Sequence, residues 1–270
     1  MMRKSSVVIL IALIISSCSP YQKVLKNEEI KPKYEMAVKL YEEGLETGKN
    51  NRFKKTLQLL EQILPQYRGT PQGEKISFIY ADSYYQLEDY FDAGYQFERF
   101  TKAYPTSEKA GEAAFKSAKS YYYVSPRYSL DQTETYKGIE KLQDYITRYP
   151  DGENVAEANT LLSELREKLE KKAFEIARQY YHIEDYKASI AAMDNFIESY
   201  PGSKYIESAY FHKLDAAYLL AINSYQYLVE ERLETASEYY EDYEKYYAEG
   251  EFSTKASEIS ADINQRLKNF

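Results

Sequence analysis

The sequence predicts an all-α fold, a solenoid of about five helix pairs with one long bridging helix. Three observations predict it. Gly and Pro are few, 10 and 8 in 270 residues, and runs with period-2 alternation are scarce, which disfavours strands. Trp is absent while Tyr is counted at 31; a large apolar ring with a polar tip suits helix faces that are half core and half surface. Finally, the stretch Glu74–Ser107, 34 residues long, sets a pattern that recurs along the chain.

Counting Glu74 as position one, Ala81 is position 8, Tyr84 position 11, Ala93 position 20, Phe97 position 24 and Pro105 position 32. This is the period and residue pattern of a tetratricopeptide repeat. Two antiparallel helices cross closely where small residues face each other, as Ala81 and Ala93 allow, and larger rings fill the space on either side. Pro105 cannot continue a helix and turns the chain into the next pair. The register of the second helix recurs. Phe97 is matched by Leu60, Leu142, Met193 and Tyr240; Phe100 by Ile63, Tyr145, Phe196 and Tyr243; Tyr104 by Tyr67, Tyr149, Tyr200 and Tyr247. Apolar positions at spacings 0, +3 and +7 mark one helix face. The small residue at Ala93 is matched by Thr56, Gly138, Ser189 and Ala236. Pro150 and Pro201 end further repeats, while Arg68 and Ala248 take that place in the first and last units.

The first helices are less uniform. Gly44, Ala81, Ala118 and Ala177 mark their crossing points. The turn-forming segment Val124 to Thr133 (VSPRYSLDQT) lengthens the third unit. From Glu153 to about Tyr181 no breaker occurs and helix formers dominate, so this stretch predicts one helix of about 28 residues, some 42 Å long. After Pro201 the pattern predicts a helix to about Asn223, a long one through Tyr247, a break at Gly250, and a last helix from Ser253 to Leu267. Ala256, Ile259, Ile263 and Leu267 give that helix one apolar stripe, as suits a cap over the array's open end.

The amino terminus is different. Arg3 and Lys4 precede an uninterrupted apolar run, Val7 to Ile15, too short to span a bilayer but suited to a secretory signal. Ile15-Ser16-Ser17-Cys18 follows and resembles the bacterial lipobox, with Ile15 and Ser17 where the commonest form has Leu and Gly or Ala. Cys18 is the only Cys, so it has no disulfide partner within the chain. Lipidation there is expected, and several acyl chains on one residue anchor stably at roughly 0.8 kcal/mol per buried CH₂. The alternative is an ordinary signal peptide with an incidental Cys. Ser19 after the Cys favours the outer membrane, by resemblance to enterobacterial sorting, and no acidic cluster follows it to mark surface export. Cleavage removes Arg3 and Lys4, leaving a net charge of about −10, and an acidic chain without a basic run is a poor nucleic-acid binder. The expected organisation is a signal peptide over 1–17, a flexible lipidated tether over 18–32, N-terminal repeats over 33–150, and the bridging helix, C-terminal repeats and capping helix over 151–270.

Catalytic chemistry finds little footing. His182 and His212 lack the ligand company a metal site needs, and no nucleophile-elbow, P-loop, zincin or dinucleotide pattern occurs. No enzyme activity and no cofactor are expected. Charge runs such as Glu167 to Lys172 suit solvated helix faces. By resemblance to tetratricopeptide domains, first-helix positions 5, 9 and 12 line a groove. Here these are Phe78, Asp82 and Tyr85, then Phe115, Lys119 and Tyr122. An aromatic surface with one charge per repeat, of alternating sign, reads as peptide-binding; the same rings could instead pack between adjacent repeats.

The lipobox, the five-fold repeat pattern, the insert and the long helix join three motifs: FERFTKAYPTS (Phe97 to Ser107), DYITRYPDG (Asp144 to Gly152) and NFIESYPGS (Asn195 to Ser203). Together they resemble the BamD family of outer-membrane assembly lipoproteins, over roughly Cys18 to Ala221; from Ile222 to Phe270 only the helical pattern is similar. The resemblance implies a scaffold of the β-barrel assembly machinery, anchored by lipid at the outer membrane and facing the periplasm. It implies as partners the periplasmic domains of the barrel-forming subunit and unfolded outer-membrane proteins. The alternatives are another tetratricopeptide envelope lipoprotein, in pilus assembly or envelope-enzyme regulation, and a glycan-binding lipoprotein. The absence of Trp disfavours the last.

Overall fold

The computed structural model describes residues 19–270. The signal peptide and Cys18 lie outside the described residues. Those residues hold twelve α-helices and one short 3₁₀ turn: α1 (Pro20–Lys26), α2 (Ile30–Thr47), α3 (Asn50–Ile63) followed by the 3₁₀ turn Leu64–Tyr67, α4 (Pro71–Gln86), α5 (Tyr90–Ala103), α6 (Ala110–Val124), α7 (Thr133–Arg148), α8 (Val155–His182), α9 (Tyr186–Ser199), α10 (Ile206–Ile222), α11 (Gln226–Tyr247) and α12 (Ser253–Leu267). The fold class is all-α, built of helix pairs in sequence. The bridging helix is α8, 28 residues long.

The described residues divide into two compact units, the first comprising 19–126 and Thr133–Leu162, the second comprising Arg127–Gln132 and Ser163–Phe270. The division falls inside α8 and not at 150/151. The insert residues 127–132, expected among the N-terminal repeats, belong to the second unit. The reason is local bonding: Lys172 Nζ donates to the Leu130 carbonyl at 2.5 Å, and the Lys171 ammonium lies 4.6 Å from the Tyr128 ring centre.

In unit 1 the pairs are α2/α3, α4/α5 and α6/α7, each helix packed on the next in sequence. The small residues at the crossings do what close approach requires. Thr56, Ala93 and Gly138 are buried, and a Cβ on Gly44 would sit 2.8 Å from the Phe53 ring. Leu60, Phe97 and Leu142, which share one register position, are fully buried. In unit 2, α9 packs on α10, α10 on α11, and α12 on both α10 and α11. Ser189, Met193, Ala236 and Tyr243 continue the same register in its cores. The cap packs by its stripe, with Ala256 and Ile263 buried and Ile259 and Leu267 against them.

The five repeat ends share one turn. The carbonyls of Tyr67, Tyr104, Tyr149, Tyr200 and Tyr247 each accept from the backbone N–H three residues on, at 2.9–3.1 Å. In the last four the Tyr ring leans on the aromatic ring one helical turn earlier, Phe100, Tyr145, Phe196 or Tyr243, at 5.2–5.8 Å. The turn forms at Arg68 and Ala248 without proline, so the tyrosine, not the proline, is the residue common to all five. Two of the loops inside pairs are also alike. Glu88 and Glu184 take the left-handed conformation, with φ of 61° and 63°. The next residue's N–H then bonds back to Tyr84 and Tyr180 respectively, closing each helix in a Schellman turn.

The expected flexible tether is a correction. Residues 20–26 are helical, and α2 begins at Ile30. The Ser19 hydroxyl accepts from the Gln22 N–H at 3.3 Å, and Pro20 occupies the first helical position, where its missing N–H costs nothing. Tyr21 is 7% exposed. Its hydroxyl donates to Gln58 Oε1 at 2.5 Å, and the Lys55 ammonium covers its ring. Pro32 falls in the first turn of α2, where helices tolerate it. A polar composition with two prolines read as a linker; one aromatic side chain pins it to α3.

Candidate functional site

The inner face of unit 1 is built by the first helices of its pairs, α2, α4 and α6, with the start of α8. Asp82 on α4 is 1% exposed. It accepts from Tyr41 Oη of α2 at 2.7 Å, from Gln86 Nε2 at 3.1 Å and from Lys116 Nζ of α6 at 2.5 Å. One carboxylate therefore ties three consecutive first helices together. Lys116 also meets Glu112 at 2.9 Å, and Glu112 takes Lys109 at 2.7 Å. Further along α6, Lys119 pairs with Glu157 of α8 at 2.6 Å.

Aromatic rings lie beneath this ladder. The Lys116 ammonium is 5.5 Å from the Phe78 ring centre, 5.7 Å from Tyr85 and 5.9 Å from Phe97. Lys119 stands 5.7 Å from Phe115 and 6.0 Å from Tyr123. A cation over ring faces gains from the quadrupole, so rings and carboxylates share the same lysines. Burial pulls the Lys116 ammonium down, but Asp82 and Glu112 outweigh it and hold it above the ordinary lysine range. Burial would raise the Glu112 carboxyl; Lys109 and Lys116 lower it instead. Burial, reinforced by Asp82, pushes the Tyr41 phenol far up.

A groove of about 790 Å³ opens over this face, lined by Tyr85, Lys109, Glu112, Lys116, Lys119, Tyr149 and Glu157 among others. Of the six expected groove residues, Tyr85, Phe115 and Lys119 line it. Phe115 does so with a ring only 5% exposed, packed on Tyr145. Phe78, 9% exposed, lies between Phe97 and Phe100 in the core. Asp82 is buried beneath the groove. Tyr122 is half-buried, with its ring against Tyr123. For Phe78 the packed alternative is therefore the correct one: a ring at the helix crossing gains more from the core than from the surface.

The Asp82 contact belongs to the repeat more than to the groove. In unit 2, Tyr181 Oη of α8 donates to Asp215 of α10 at 2.6 Å, and Tyr218 Oη of α10 to Asp262 of α12 at 2.6 Å. Each is a tyrosine on one first helix bonded to a carboxylate on the next. The lysine ladder is added to this device in unit 1. Lys109, Glu112, Lys116 and Glu157 were not among the expected residues. The first three carry a legible signal, opposite charges at i,i+3 and i,i+4 on one face of α6. Glu157 has none, since its partner is 38 residues away. Among the described residues, no group of three or more His, Cys, Asp and Glu side chains could hold a metal ion, and no helix is long and apolar enough to cross a membrane.

Stacked helix pairs with a charged and aromatic inner face define a helical-repeat protein of the tetratricopeptide type. The chain belongs to the YfiO family of outer membrane lipoproteins, whose sequence pattern matches residues 34–226. It is 22% identical over 223 residues to the outer membrane protein assembly factor BamD of Rickettsia prowazekii, covering 83% of each chain. It is 30% identical over 133 residues to the putative assembly factor BamD of Aquifex aeolicus, covering 49% of this chain and 42% of that one. Among solved structures it is similar to a putative kinesin light chain with nearly identical TPR-like repeats from Podosopora anserina. There the identity is 15% and the coverage 81% of this chain and 94% of the other. The TM-score is 0.31, a likeness without weight for function.

Proposed function

We propose that this chain is a lipid-anchored scaffold of outer-membrane β-barrel assembly, which binds the barrel-forming subunit and unfolded outer-membrane proteins. The family match over residues 34–226, with relatives named as outer membrane protein assembly factors, carries the proposal. The structure supports it physically. Within unit 1, consecutive helix pairs packed side by side give one continuous surface. The unit 1 groove offers rings and charges of both signs to an extended segment. Strands of a membrane barrel alternate apolar and polar side chains, and such a segment can set apolar groups on Tyr85 and Tyr149 while its polar groups meet the lysines and carboxylates. Unit 2 takes the barrel-forming subunit. A lipid on Cys18 holds the body close to the outer membrane's periplasmic face, because Ser19 already caps α1.

Affinity purification from mild detergent tests the proposal. A large barrel protein with periplasmic domains is expected to co-purify, and depletion is expected to lower many outer-membrane barrels together. Recovery of the chain without such a protein, or loss of growth on one carbon source with barrel levels unchanged, refutes it.

A further inference from the structure

The family match ends at residue 226, and the surface that begins there differs in kind from the groove. Tyr225 and Tyr227, at the start of α11, are 76% and 79% exposed. Their rings stack on each other, 6.0 Å apart and 11° from parallel. Single exposed apolar side chains are ordinary on a protein surface; two stacked rings this exposed make one continuous patch. From Tyr227 a straight line of side chains runs down the outer face of α11: Glu231, Glu234, Glu238 and Glu241, all exposed and spaced by three or four residues. Over its whole length α11 carries seven acidic and two basic residues. One of the two, Arg232, turns back to the Ser224 hydroxyl.

Several helix carboxylates of unit 1 are answered at one helical turn, as in Glu98–Lys102, Lys109–Glu112 and Glu134–Lys137. Among the described residues no ion pair reaches the four carboxylates of the α11 row. Like charges at this spacing repel and work against the helix. Cations from another molecule would relieve that repulsion. An anionic lipid surface and a nucleic acid would be repelled by the same row, and a second copy would meet it with its own negative row.

We infer that the Tyr225–Tyr227 pair and the carboxylate row of α11 form a docking surface for a folded protein whose own surface offers an apolar recess rimmed by Lys and Arg. The rings are the anchor, since tyrosine is enriched where interfaces concentrate their binding strength. The carboxylates act as the charged rim, which steers the partner and fixes its orientation. The inference rests on the scaffold reading only for where the partner is sought.

Zero-length carbodiimide coupling in isolated envelope membranes tests it, with the full-length protein and mass spectrometry of the joined peptides. The reagent joins a carboxylate to a lysine amine already in contact. The expected result is coupling of Glu231, Glu234, Glu238 or Glu241 to lysines of one other protein. The yield should fall about tenfold or more in the Tyr225→Ala/Tyr227→Ala variant and, read at the retained Glu241 carboxylate, in Glu231→Gln/Glu234→Gln/Glu238→Gln. All five positions are exposed, so an unchanged thermal unfolding profile is expected. Absence of inter-protein coupling from α11, an undiminished yield in either variant, or coupling only between isotopically distinguished copies of this chain overturns the inference. The barrel-forming subunit is scored in the same membranes. If it is present while α11 gives no links, this inference fails and the scaffold reading stands. If α11 couples in a ring-dependent way to a lysine-bearing protein while no barrel subunit associates, the reverse holds.

Discussion

Replacing Asp82 with Ala tests whether one buried carboxylate holds the inner face of unit 1 together. The substitution leaves three donors without their acceptor: Tyr41 Oη, Gln86 Nε2 and Lys116 Nζ. The lysine is the costly one, because a hydrogen bond to a charged group contributes about 1.5–3 kcal/mol, and breaking a buried pair on one side costs about 3–5 kcal/mol. Lys116 keeps Glu112 at 2.9 Å and is partly exposed, which moves the figure to the low end. Tyr41 and Gln86 recover part of their loss from water. The expected total is about 3 kcal/mol. Denaturant unfolding reads the total, and amide hydrogen exchange locates it, with faster exchange in α2, α4 and α6 and unchanged exchange in α10 and α11. The companion variant Lys116→Met should cost less, and the double variant less than the two single costs together, by about 1–2 kcal/mol. A stability for Asp82→Ala within about 1 kcal/mol of wild type, or strict additivity with Lys116→Met, would refute the reasoning.

Three other outcomes follow from the same geometry. Ser189 is fully buried, with its Oγ lacking a hydrogen-bond partner, at the position where two other repeats carry Ala93 and Ala236; Ser189→Ala should stabilise unit 2 by about 1 kcal/mol, and a lower melting temperature would contradict this. A Cβ on Gly73 would sit 1.9 Å from the Tyr67 carbonyl oxygen, which is backbone and also accepts from Thr70 Oγ1, so Gly73→Ala should cost about 2 kcal/mol or more, and a denaturation midpoint equal to wild type would refute it. Burial first, then neighbouring carboxylates or phenols, pushes the phenols of Tyr41, Tyr80, Tyr85, Tyr181 and Tyr243 above their ordinary range. A folded-state pKa raised in this way contributes stability that is full below the unfolded value near 10 and is lost progressively as pH rises above it. Denaturant midpoints measured at pH 9 and pH 11 should therefore differ strongly, and equal midpoints would overturn this account.

The second helices were the most legible part of the chain. Phe97, Leu60, Leu142 and Met193 share one register position and one environment, and a repeated environment writes a repeated residue class. The bridging helix and the cap were legible for a related reason, since breakers such as Pro201 and Gly250 punctuate long runs of helix formers. The amino-terminal segment was not. A seven-residue helix has no periodicity to read, and the docking of Tyr21 depends on Gln58 and Lys55 of another element. The inner face was half legible. Repeat geometry named Tyr85, Phe115 and Lys119 among the groove residues, but it could not say that Phe78 turns into the core. Nor could it say that Asp82 serves the stack, because its bonds to Tyr41 and Lys116 join residues 41 and 34 positions away. Local spacing records neighbours on one helix; contacts between helices are written in the fold.

The lysine ladder has a consequence for how long anything stays in the unit 1 groove. Each of Lys109, Lys116 and Lys119 already holds a carboxylate of its own chain. An arriving acidic side chain gains a lysine only by displacing a resident one, so the event is an exchange of partners and its net yield is small. What remains is ring contact, which tolerates many sequences. Affinity differences of this kind fall mainly on the rate of departure. A client bound there would have a short residence time and little sequence preference, traits that suit a surface from which chains are passed on.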